Sequence, residues 1–154
     1  MNRLKMSHLM EIYGYRGRHA KARAAWLMCF AALAPSAVVA AQATHVVRLE
    51  VDTERDVHRF VPARVTARAG DLLVFRVSSG APHAVAFETA GLSRAARGLL
   101  QSAMADRSAD LQGPVLASDG MEYRVTVPRL PAGVYRFYST PHRAYEMHGE
   151  LIVK

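Results

Sequence analysis

Three histidines and a methionine stand where short apolar runs meet loops in the second half of the chain: His83, His142, Met147 and His148. The segments around them are rich in Pro, Gly or Met. Imidazole suits copper, zinc and iron, and thioether sulfur suits Cu(I), so these types gathered at loop ends point to a metal ion more than to packing. His45 and His58 lie in or beside apolar runs without such a setting and are read as surface or structural histidines. Covalent catalysis finds little support: Ser139 and His142 are close in sequence, but no acid joins them in triad fashion and Gly-x-Ser-x-Gly is absent. A zinc hydrolase built on His83, His142, His148 and Glu146 would lack the His-Glu-x-x-His pattern. The chain is expected not to be an enzyme.

The elements that must position these residues are short strands. His45–Val51, Arg64–Arg68 and Met121–Val127 alternate at period two, whereas Leu72–Val77 is a nearly continuous apolar run. His83–Phe87, Val134–Tyr138 and Gly149–Val153 complete the set, with turn signals at Ala69-Gly70-Asp71, Ser78-Ser79-Gly80-Ala81-Pro82 and Pro131-Ala132-Gly133. About seven strands so divided predict an all-β Greek-key sandwich. Residues 92–111 break the rhythm, with Leu99, Leu100 and Met104 at helical spacing, and predict a short helical insertion.

Within this frame the stretch from Tyr135 to Val153 resembles the copper-ligand loop of the cupredoxins, the blue-copper family that includes plastocyanin, amicyanin and pseudoazurin. In that family a Tyr-x-Phe-x-Cys segment is followed by two residues, a histidine, a few residues, a methionine, a glycine and an apolar strand. His142 matches the loop histidine and Met147 the axial methionine. Pro82-His83-Ala84-Val85-Ala86-Phe87 is similar to the segment that supplies the other histidine, and Phe60-Val61-Pro62 and Ala69-Gly70-Asp71 resemble the family's first strands. The resemblance covers residues 58–154 and implies a cupredoxin-like fold, one copper ion cycling between Cu(I) and Cu(II), and His83, His142 and Met147 as ligands.

One position departs from the pattern. Ser139 stands where the family has its cysteine, although two residues still separate it from His142 and four separate His142 from Met147. A blue-copper centre depends on a short copper–thiolate bond in a His2Cys plane. A neutral hydroxyl is a hard, poor donor, so a copper site here is expected to be pale. Ser139 itself, Glu146, which stands where plastocyanin has glycine, or His148 are the candidate additional or substitute ligands.

The charge and the cysteine both belong to the beginning of the chain. The 154 residues carry a formal net charge of +7. Six basic residues within 1–43, from Arg3 to Arg23, face the lone Glu11, and the remainder is close to balanced. No basic stripe is left to support nucleic-acid binding. The basic segment, the apolar run Ala24–Ala34 with Cys29, and Ala41-Gln42-Ala43 follow the order of a secretory signal peptide. Residues 1–43 are therefore expected to be a cleaved leader and 44–154 a cysteine-free mature domain, periplasmic or secreted, touching a membrane only if the leader stays attached. The readings carried forward are an exported copper carrier or buffer, a plastocyanin-like electron-transfer protein with an atypical ligand set, and a metal-free interaction module. The expected partners are the copper ion and a redox or copper-handling protein.

Overall fold

Burial alternates from the first strand of the computed structural model, which describes residues 41–154. The expected leader falls outside the described residues but for its last three positions. In β1 (Thr44–Asp52) Val47 and Leu49 turn inward while Val46 and Arg48 face solvent. The chain continues through β2 (Val57–Val61), β3 (Arg64–Ala67), β4 (Leu72–Val77), β5 (Val85–Phe87), α1 (Arg94–Ala103), β6 (Glu122–Thr126), β7 (Gly133–Ser139), a 3-10 turn (Thr140–Tyr145) and β8 (His148–Val153).

Two four-stranded sheets face each other, in the orders β2-β1-β4-β6 and β3-β8-β7-β5. Strands β1 and β4 run parallel, as do β3 and β8, and the other neighbours are antiparallel. The layer between the sheets is built on phenylalanine. Phe137 stands edge-on to three rings, with centroids at 4.9 Å from Phe60, 5.2 Å from Phe75 and 5.9 Å from Phe87. Such edge-to-face pairs add about 0.5–1.5 kcal/mol each beyond area burial. Opposite Phe137 in the ladder sits Gly149, where a Cβ would overlap the Phe137 ring. Glycine is thus required by close approach at this position.

The architecture agrees with the expected sandwich and adds one strand to it. Val57–Val61 follows the polar turn Thr53–Asp56, in which Asp56 takes a left-handed φ of 51°. Its Phe60 is buried and its Val57 and Arg59 are exposed. The strand expected from His83 begins only at Val85. Instead, His83 exchanges two backbone hydrogen bonds with Leu116, 3.0 Å and 2.7 Å long.

The insertion is helical for only half its expected length. Ser93 caps α1, its Oγ accepting from the Ala96 amide at 3.1 Å. Ala96, Leu100 and Met104 lie against the core, whereas Leu99 sits at the exposed margin. Beyond the helix, the segment that includes Leu111, Gly113 and Leu116 bonds along β5 through Phe87 N–H to Leu111 O and Gly113 N–H to Val85 O, both 2.9 Å. It covers an edge that would otherwise be open and clamps the backbone of His83.

Candidate metal centre

Sequence neighbours at the end of the sandwich become spatial neighbours around Ser139. Strand β7 delivers Ser139 into the interior because its inward positions are Tyr135, Phe137 and Ser139. The chain then turns tightly through Thr140–Tyr145, with His142 at φ −110°, and Glu146 reverses it in a left-handed conformation at φ 55°. The Ser139 amide closes the loop on the Met147 carbonyl at 3.1 Å, and the Thr140 amide bonds Ala84 O at 2.8 Å. The second bond ties the loop to the segment that carries His83.

Both histidines turn the same nitrogen to the serine. Nδ1 of His83 lies 3.1 Å from Ser139 Oγ, and Nδ1 of His142 lies 3.3 Å from it. His83 Nε2 faces the Ser79 carbonyl at 3.0 Å. A carbonyl only accepts, so Nε2 carries the proton and the His83 Nδ1 lone pair points at the hydroxyl. The rings of His83 and His142 are 4.6 Å apart. His83, Ser139 and Met147 are fully buried.

Electrostatics keeps both rings neutral. Burial, reinforced by repulsion from His83 and His58, depresses the His142 pKa to about 4. Burial also lowers that of His83, partly offset by the hydrogen bond to the Ser79 carbonyl. A neutral imidazole is the form that ligates a metal.

His148 and Glu146 point elsewhere. Met147 and Gly149 are buried and His148 is exposed, so alternation along β8 sends the His148 ring to the outer face of the sheet. There its Nδ1 approaches Glu88 at 3.6 Å and its ring lies 6.2 Å from Tyr138. Glu146 is exposed at the tip of the reversal.

His58, read from the sequence as a surface or structural histidine, is not at the surface and packs against His142. The His58 side chain is only 8% exposed. Its ring centroid is 4.8 Å from that of His142 and 4.1 Å from that of Tyr145, on which it stacks. Period two carried the signal: His58 and Phe60 share one side of β2, and Phe60 is a core residue. His45, by contrast, pairs with Asp71 at 3.1 Å, as a structural histidine would.

Comparison with known proteins bears on this geometry. A model of the family described as copper binding proteins, plastocyanin/azurin family, matches residues 46–154. The chain belongs to the plastocyanin/azurin family of copper-binding proteins. Plastocyanin from Dryopteris crassirhizoma is 29% identical over 107 residues, which are 70% of this chain and 99% of that protein. Plastocyanin from Rumex obtusifolius is 32% identical over 95 residues, covering 62% and 87% respectively. The oxidised structure of the Dryopteris protein aligns with a TM-score of 0.56 at 27% identity, over 71% of this chain and all of the other. A reduced amicyanin variant, at 22% identity and a TM-score of 0.50 over 74% of this chain and 85% of its own, shows the shared fold.

Copper is the ion of this family, and the donors present suit it in type: two neutral imidazoles with Nδ1 directed at one point, and a buried methionine whose backbone bonds to Ser139 and His142. The one misfit is the Ser139 hydroxyl to which both Nδ1 atoms turn, a hard and poor donor for copper. Among the described residues, no three His, Cys, Asp or Glu side chains enclose a metal position as they stand.

Proposed function

We propose that this protein is an exported copper-binding cupredoxin that carries or buffers the ion through His83, His142 and Met147 without a thiolate. The observation that carries this reading is the convergence of Nδ1 of His83 and Nδ1 of His142 on Ser139 Oγ, at 3.1 and 3.3 Å. Copper held there would supply one-electron chemistry between Cu(I) and Cu(II).

The chain's own residues set the terms of that chemistry. The Ser79 carbonyl holds the His83 tautomer with Nδ1 free. Leu116 fixes the His83 backbone and Ala84 fixes the loop, so two ligands on different segments keep their separation. The Ser139 hydroxyl can give its proton to one imidazole and accept from the other, which satisfies those two Nδ1 atoms when no ion is bound. With no anionic sulfur, the strongest and most covalent ligand is missing, and copper bound by imidazole and thioether is exchanged more readily than copper bound by thiolate. That favours carrying or buffering over electron transfer. Export rests on the leader-like order of residues 1–43. Among the described residues no helix is long and apolar enough to cross a membrane.

The same hydrogen bonds favour a second reading, a metal-free interaction module, because Ser139 satisfies both imidazoles unaided. Copper titration of the purified protein, followed by metal analysis and EPR, separates the two. The proposed function expects one copper per chain, nitrogen couplings in the Cu(II) spectrum and no intense thiolate-to-copper absorption. A protein that retains no stoichiometric copper would be the interaction module.

A further inference from the structure

Among the described residues, Nδ1 of His58 is the buried side-chain nitrogen or oxygen that lacks a hydrogen-bond partner. Leaving such a group unpaired costs about 1–3 kcal/mol. Its other nitrogen explains its state. Nε2 lies 3.2 Å from an Asp56 carboxylate oxygen. A carboxylate only accepts, so in the neutral ring Nε2 bears the proton and Nδ1 presents a lone pair. Carboxylate–histidine pairs of this kind orient ligating imidazoles at metal sites.

The ring is held beside the candidate centre. Tyr145 stacks on the ring at 4.1 Å and an interplanar angle of 19°, and His142 lies on it at 4.8 Å. Two imidazoles bound to one metal at about 2.0–2.1 Å put their ring centres about 5 Å apart. His83 at 4.6 Å and His58 at 4.8 Å are both within that reach of His142.

We infer that His58 is the third nitrogen ligand of the copper site, supplying through Nδ1 the donor that Ser139 no longer provides. This rests on the copper-binding reading above. The site is then three imidazoles with Met147 as the soft donor, and its protein ligands are all neutral. Because the three nitrogens do not enclose one point as they stand, ligation requires the His58 side chain to turn toward the ion. The exposed carboxylate of Asp56 can follow it.

The test counts nitrogens. Pulsed EPR of the Cu(II)-loaded full chain is expected to show three coordinated imidazoles in the wild type and two in His58→Phe, whose ring keeps the stacking on Tyr145. Copper affinity should fall at least tenfold in His58→Phe, with circular dichroism unchanged. If the wild type binds copper through two imidazoles and His58→Phe leaves affinity unaltered, the inference is overturned while the copper reading stands. If the wild type binds no copper, both fall. Should His58→Phe fail to fold, the wild-type nitrogen count decides alone.

Discussion

Nδ1 of His83 lies 3.1 Å from the hydroxyl oxygen of Ser139, and the two residues are fully buried, one ahead of β5 and the other at the end of β7. The ladder sets this relationship: Val85 pairs with Ser139, and the Thr140 amide reaches back to Ala84. The hydroxyl thus faces both imidazoles.

Restoring the sulfur should therefore restore the colour. Ser139→Cys places a thiol between two preset Nδ1 atoms, and the two-imidazole, one-thiolate plane with Met147 nearby is a blue-copper ligand set. On adding Cu(II), Ser139→Cys should develop an intense visible absorption that the wild type lacks. A variant that stays pale would show that the Nδ1 atoms and position 139 do not share a metal.

The core that supports the site is sensitive to one atom. In Gly149→Ala the new Cβ overlaps the Phe137 ring, which is locked among Phe60, Phe75 and Phe87. Urea unfolding should register a loss of about 1–3 kcal/mol, the usual cost of overpacking. Since Gly149 lies two residues beyond Met147, copper affinity should fall as well.

Metal-free protein should lose stability in mild acid. The folded-state pKa of His142 is depressed to about 4 from an ordinary 6.5, and that of His83 is also lowered. Between those values the unfolded chain binds protons that the native rings refuse, so stability is intact above pH 6.5 and declines as pH falls toward about 4. Thermal midpoints measured across this window should drop in the wild type and drop less in His142→Gln. Equal slopes in the two proteins would contradict this origin.

Much of the candidate site was legible because it is local. Ser139, His142 and Met147 belong to one loop, where spacing alone sets their proximity, and His83 stands out through its Pro-His junction. The β sandwich was legible from alternation, except for β2, whose short Val57–Val61 run is hidden behind the polar turn at Thr53–Asp56. Losing that strand also hid His58, since its place beside His142 depends on how β2 pairs with β1. His148 shows the reverse effect. Nearness to Met147 in sequence suggested a ligand, but neighbours along a strand face opposite sides. The insertion lacks chemistry of its own, and its part in clamping His83 through Leu116 is purely tertiary.

The central claim is that the two histidines facing Ser139 hold copper. Competition titration of copper against a chelator of known affinity, on wild type, His83→Ala and His142→Ala, tests it most directly. Each substitution should weaken binding by at least about tenfold, or about 1.4 kcal/mol. Affinity unchanged in both variants would contradict the account.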